Sequence, residues 1–167
     1  MKCKLLVAED ELIERKVLCR TLQKYLGDLI CLYEAKNGRE ALEIFAREAP
    51  QVAVLDIEMP GLTGLEVARS IRETDRNCAI LFLTGFDKFD YARQAISVRA
   101  LDYLLKPFHD GELEAAVQRI SGRGREQPRP GDFADISSKN RNVMQAIEYM
   151  NANYNDPELN VGAVARS

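Results

Sequence analysis

Five short apolar runs alternate with segments of helical spacing over the first 120 residues, and this alternation restricts the chain to one class of fold. The runs are residues 4–8, 30–35, 52–55, 78–84 and 100–105. The third, Val52-Ala53-Val54-Leu55, runs straight into Asp56 and a Met59-Pro60-Gly61 turn. An unbroken apolar run bounded by Pro and Gly reads as a strand buried on both faces, the habit of parallel sheets. Between the runs the spacing changes to helical. Ile13, Val17, Leu18, Leu22 and Tyr25 share a face of residues 12–25, with Gly27 as a stop. Ala41, Leu42, Phe45 and Ala46 point inward from residues 39–49, which Pro50 ends; Leu65, Ala68 and Ile71 do so from residues 64–73. Residues 87–97 are less amphipathic, with Phe89, Ala92 and Ile96 on one side. Asp110 caps a last helix with Leu113, Val117 and Ile120 inward. Parallel strands need helical crossovers, and crossovers are right-handed. The expected fold is therefore α/β: a doubly wound, flavodoxin-like, five-stranded parallel sheet of order 2-1-3-4-5.

Beyond this domain, residues 1–120, the composition changes. Residues 121–130 read Ser-Gly-Arg-Gly-Arg-Glu-Gln-Pro-Arg-Pro, with no apolar anchor, and residues 121–135 are expected to be a linker. Val143, Ile147, Met150 and Tyr154 then repeat at helical spacing, Pro157 breaks the pattern, and a further helix begins at Leu159. About one and a half helices cannot bury a core of their own. The net charge of −3 and pI near 5.4 argue against a strongly basic nucleic-acid binder. No apolar run approaches the roughly 18 residues of a membrane span, and the N-terminus lacks a signal-peptide layout. Cys3, Cys19, Cys31 and Cys78 are scattered without metal or redox spacing, which fits small buried hydrophobes in a reducing cytoplasm. The single histidine, His109, follows a Pro-Phe turn and reads as a surface loop residue.

In the 2-1-3-4-5 order, strands one and three are neighbours at the switch point, so Glu9, Asp10 and Asp56 converge on one crevice. Carboxylates so placed repel unless a cation or proton relieves them. Two readings follow: a solvated acidic rim, or an all-oxygen site suited to Mg²⁺. The second also accounts for Thr84 and Lys106, a hydroxyl and an ammonium that end two further strands. Asp10 and Asp56 would offer side-chain oxygens, Glu58 its backbone carbonyl, and Glu9 a direct or water-mediated contact. A phosphoryl group beside metal, Lys106 and Thr84 fits that site, with Asp56 as a carboxylate nucleophile.

Residues 2 to about 120 resemble the response-regulator receiver domains of two-component signalling. The resemblance rests on Glu9-Asp10, Asp56 with Met59-Pro60-Gly61 and Gly64, Thr84-Gly85, and Lys106-Pro107 with Tyr103 three residues earlier. It implies that Asp56 is the phosphoacceptor, supplied by a sensor histidine kinase. It implies Mg²⁺ held by Asp10, Asp56 and the Glu58 carbonyl, with Glu9 nearby. It further implies that Thr84 and Lys106 contact the phosphoryl group, that Thr84 and Tyr103 form the switch, and that the Lys106-Pro107 bond is cis. Where the family usually has Asp-Asp, this chain has Glu9-Asp10. Such a domain is a phosphoacceptor rather than an enzyme, and is expected to form a homodimer on phosphorylation.

The segment from Ala146 to Ala165 resembles the opening of an AraC-type DNA-binding domain, so residues 136–167 are expected to be an incomplete copy, with DNA bound only by the complete domain. Two rival readings are a receiver acting only through protein contacts and an aspartyl-phosphate hydrolase of the haloacid dehalogenase type. The latter family carries its nucleophile on the first strand, whereas Asp56 ends the third.

Overall fold

The run that ends in Asp56 lies at the centre of the molecule. The computed structural model describes residues 1–86, 88–109, 111–113, 115 and 116. Its strands are β1 (Cys3–Ala8), β2 (Ile30–Ala35), β3 (Val52–Asp56), β4 (Ala79–Thr84) and β5 (Asp102–Leu105). Helices α1 (Leu12–Leu26), α2 (Gly38–Glu48), α3 (Gly64–Thr74) and α4 (Phe89–Ser97) connect them, with a 3-10 turn at Gly27–Leu29. Residues 111–113, 115 and 116 are helical. The sheet order is β2-β1-β3-β4-β5 and every neighbouring pair is parallel. The expected fold class and strand order are thus observed.

Every residue of β3 is buried, because the sheet is covered on both faces. Alternation along the strands divides the core in two. Leu6, Ala53, Leu55, Ile80 and Phe82 pack with the buried faces of α2, α3 and α4. Leu5, Val7, Val54, Leu81 and Leu83 pack with Leu18 and Leu22 of α1 and with Leu113 and Ala116. The expected inward positions of Val117 and Ile120, the linker at 121–135 and the segment 136–167 fall outside the described residues.

Two helices bury only part of the face their spacing suggests: Leu18 and Leu22 of α1 and Ala41 and Phe45 of α2 are inside as expected, but other positions are not. Ile13 and Val17 of α1 are exposed, at 78% and 57% relative accessibility, beside the exposed Leu12; only Leu18, Cys19 and Leu22 are buried. Apolar residues occur all round this helix, so period alone leaves its orientation open, and the sheet selects the narrower stripe. In α2 Ala46 is exposed and Ile44 is buried in its place. By contrast α4, weakly amphipathic by its spacing, buries Ala92, Ala95 and Ile96. Cys19 and Cys78 are buried, Cys3 and Cys31 only partly, and all four are free thiols.

Loop geometry at the β3 end depends on two glycines. Gly61 has φ 79°, a left-handed conformation costly to residues with a Cβ. Gly64 opens α3 so close to β3 that a Cβ there would lie 2.1 Å from the Asp56 carbonyl oxygen. Its N–H donates to the Ile57 carbonyl at 3.0 Å. Thr63 and Glu66 then form a reciprocal capping box that starts the helix. At the far end of the sheet, Arg72 ties the end of α3 to neighbouring loops, donating to the carbonyls of Cys78 at 2.6 Å, Val98 at 2.7 Å and Arg99 at 3.1 Å.

The two glycines predict different costs. Gly64→Ala should lower the unfolding free energy by roughly 2–3 kcal/mol, because backbone must shift. Gly61→Ala meets no atom and should cost only about 1 kcal/mol, its conformational penalty. Urea denaturation of both variants measures the difference.

Candidate functional site

Two neighbouring strand ends supply the acidic groups. Glu9 and Asp10 follow β1, and Asp56 is the last residue of β3, its strand neighbour. Ligating oxygens of Glu9, Asp10 and Asp56 all lie within 4.8 Å of one another. Glu9 is 1% exposed and Asp56 4%; Asp10 is half-buried and lines an open cleft of about 610 Å³ with Lys36, Asn37 and Pro60. Glu9 is anchored by its backbone: its N–H donates to the Ala35 carbonyl at 3.1 Å, and its carbonyl accepts from Arg15 Nη1 at 2.8 Å. Its side chain accepts from the Glu11 N–H at 3.1 Å.

Lys106, after β5, brings an ammonium to this pocket. Its Nζ lies 2.7 Å from Glu9 Oε2, 2.5 Å from Glu14 Oε2 and 3.6 Å from Asp56 Oδ1. Its N–H donates to the Thr84 carbonyl at 2.7 Å, and the peptide bond to Pro107 is cis. Burial favours the neutral amine, but the hydrogen bonds to Glu14 and Glu9 and the charge of Asp56 outweigh it, and the ammonium is held above its usual range. The Asp56 carboxyl is pushed up to about 7. Burial is the main cause; Lys106 opposes it, and the charges of Glu9, Asp10 and Glu14 reinforce it. Glu9 is also raised, by burial against its hydrogen bond to Lys106. Anionic oxygens this close, and this reluctant to be charged together, form the donor set that a hard divalent cation takes. The residues present therefore fit Mg²⁺.

Thr84 and Tyr103 sit behind the pocket and converge on one residue. Thr84, fully buried, accepts the Phe86 N–H on its Oγ1 at 3.1 Å. Tyr103, 2% exposed, donates its hydroxyl to the Phe86 carbonyl at 3.3 Å. Glu58 turns its carboxylate away from the acidic cluster: it accepts from Lys88 Nζ at 3.3 Å and from the Tyr91 hydroxyl. Lys88 lies 4.8 Å from the centroids of both the Phe86 and Tyr91 rings. His109 is exposed and stands apart from these contacts.

A family model, described as the response regulator receiver domain, matches residues 5–118. The chain belongs to the response regulator receiver domain family. It is 39% identical over 122 residues to the sensory transduction protein LytT of Oceanobacillus iheyensis, across 72% of this chain and 48% of that protein. It is 32% identical over 117 residues to the transcriptional regulatory protein HptR of Staphylococcus aureus, across 70% of this chain and 46% of that protein. The chain thus spans about half the length of these curated relatives. Among solved structures, the receiver domain of AraT, a response regulator from Geobacillus stearothermophilus, superposes with a TM-score of 0.64 at 34% identity, covering 73% of this chain and 95% of that one. Receiver domains are signalling domains, and relatives of this one are named as transcriptional regulators. No described helix is long and apolar enough to cross a membrane.

Sequence reasoning does not single out Glu14, Lys88 or Tyr91. Glu14 carries a usable signal: it lies four residues after Asp10, and a carboxylate in the first turn of α1 stays near the end of β1. Lys88 and Tyr91 carry none, because their meeting with Glu58 depends on how α4 packs beside the loop after β3.

The raised pKa of Asp56 has a consequence for stability. From about pH 4 to about 7 the folded state holds a proton on Asp56 that the unfolded chain has released, so this group makes stability fall as pH rises through that window. In metal-free protein, Asp56→Asn should therefore raise the unfolding free energy at pH 8 by roughly 2–4 kcal/mol, since one pKa unit is worth about 1.4 kcal/mol. The gain should shrink towards zero near pH 4 and should narrow when Mg²⁺ is added to the parent. Denaturant titrations at several pH values measure this.

Proposed function

We propose that this receiver takes a phosphoryl group onto Asp56 from a histidine kinase and passes the change in its own conformation to an attached output domain. The observation that carries this reading is the buried Asp56 carboxylate, which shares its pocket with Glu9 and Asp10 and lies 3.6 Å from Lys106 Nζ. An Asp56 oxygen attacks the phosphorus of a phosphohistidine in line. A P–O bond forms, the P–N bond breaks, and the imidazole leaves with the electron pair and takes a proton. Asp10, Asp56 and the Glu58 carbonyl would hold Mg²⁺, with Glu9 beside it. When bound, the ion neutralises phosphoryl oxygens. Lys106 supplies the second positive charge from its position between Glu9 and Asp56, and Thr84 supplies a hydroxyl donor.

The link to output runs through Phe86. In the present state the Thr84 hydroxyl accepts from the Phe86 N–H and Tyr103 donates to the Phe86 carbonyl. If the Thr84 side chain moves inward to donate to a phosphoryl oxygen, its oxygen is drawn from the Phe86 N–H and the hold on the loop before α4 weakens. Tyr103 and α4 then repack, and the altered face forms a homodimer. Couplings of this kind are worth about 1–3 kcal/mol, enough to shift a pre-existing equilibrium. Residues 136–167, by their resemblance to the start of an AraC-type domain, support a DNA-binding output. Support for a transcriptional role also comes from HptR, named as a transcriptional regulatory protein, which this chain matches over 46% of its length.

Incubation with acetyl phosphate and Mg²⁺, read by intact-mass spectrometry, tests the assignment. The parent should gain one phosphoryl group and shift towards dimer in size-exclusion chromatography. Asp56→Asn should gain none and stay unchanged in size. Equal labelling of that variant overturns the assignment, and repeated turnover of a phosphate ester would favour the hydrolase instead.

A further inference from the structure

We infer that Glu14 is a positioning residue that holds Lys106 on the α1 side of the pocket and so slows phosphoryl uptake by Asp56. This rests on the reading of Asp56 and Lys106 given above. Lys106 Nζ has two close carboxylate partners, Glu14 at 2.5 Å and Glu9 at 2.7 Å, and is 3.6 Å from Asp56. The group that must meet the incoming phosphoryl oxygens is thus bound to acids on the β1 and α1 side. Glu9 cannot easily give it up: it is buried, and its neighbouring backbone fixes it. Glu14 differs. Its side chain is about half exposed, at 52%, and it stands on the first turn of a helix with its charge open to solvent. It is therefore the partner that can let go.

Its two effects act in the same direction. The contact commits a second of the three ammonium N–H donors, beside the one on Glu9, and holds Nζ 3.6 Å from Asp56, so centring the ammonium on the transferred group means leaving Glu14. The Glu14 charge itself, 2.5 Å from Lys106 Nζ, repels an anionic group that approaches the same ammonium. Both make the pocket a poorer receiver of a dianionic phosphoryl group, so loss of Glu14 should speed uptake. Glu11 provides the comparison. It is an exposed acid on the same rim, between Asp10 and α1, and among the described residues no side-chain contact joins it to Lys106.

The experiment uses the whole chain with acetyl phosphate and Mg²⁺, in parent, Glu14→Gln, Glu14→Ala and Glu11→Gln. The Glu14 variants should show a limiting rate of phosphorylation raised about threefold or more, with the half-saturating donor concentration little changed; Glu11→Gln should stay within about 1.5-fold of the parent. A crystal structure of metal-free Glu14→Gln gives a readout independent of activity: Lys106 Nζ should close on Asp56 from 3.6 Å to hydrogen-bonding distance. Unchanged or slower phosphorylation of both Glu14 variants, equal acceleration by Glu11→Gln, or an unmoved Lys106 overturns the inference. If the parent itself takes up no phosphoryl group, it is the assignment of Asp56 that fails, and the position of Lys106 in the variant still tests Glu14.

Discussion

The arrangement depends on three carboxylates forced together where β1 and β3 end side by side. Glu9, Asp10 and Asp56 bring their oxygens within 4.8 Å of one another, and two of the three are almost wholly buried. Water cannot screen them there, so the cost of charging them is met by Lys106 or by proton uptake. Asp56, pushed up to about 7, is the member of the set that gives way. A buried carboxylate so crowded, and next to an ammonium, belongs to a donor set that fits a hard divalent cation. The fold serves to maintain this charge conflict.

The fold maintains it through backbone geometry. Parallel pairing of β1 with β3 sets Val7 opposite Val54 and Ala8 opposite Leu55, so the acids that follow emerge at one level. Gly64 brings α3 against the Asp56 carbonyl with no room for a side chain. Lys106 is tied to Thr84 through its own N–H, which binds the positive end of the pocket to the strand that carries the hydroxyl. The same strand end leads to Phe86, whose N–H and carbonyl are bracketed by Thr84 and Tyr103. Hydrogen bonds through Phe86 thus run from the strand end that carries Thr84 to Tyr103, alongside the packed core that joins β3, β4 and α4.

Much of this is legible in the amino-acid order alone. Alternation of apolar runs with helical spacing determines a parallel sheet, and polar residues that follow or close several runs stand out at one end of it; Asp56 and Lys106 are brought together there, with Thr84 on the strand between. What escapes has a physical cause. Helix α1 carries apolar residues on several sides, so its pattern puts Ile13 and Val17 inside although both are exposed. In α2 the pattern favours Ala46 over Ile44, because a small residue contributes little to a periodic signal and its side is poorly fixed. The pairing of Glu58 with Lys88 and Tyr91, and of Glu14 with Lys106, joins residues far apart in the chain through tertiary packing, which local patterns do not encode.

The central claim is that the conflict among these acids makes one specific aspartate the chemical acceptor. Borohydride reduction of the protein after exposure to a phosphodonor and Mg²⁺, followed by peptide mass spectrometry, reads this directly, because an acyl phosphate is reduced to an alcohol at the residue that carried it. The expected result is homoserine at position 56 and reduction at no other acid in the pocket. Reduction at Glu9, Asp10 or Glu58, with position 56 left as aspartate, would contradict the claim.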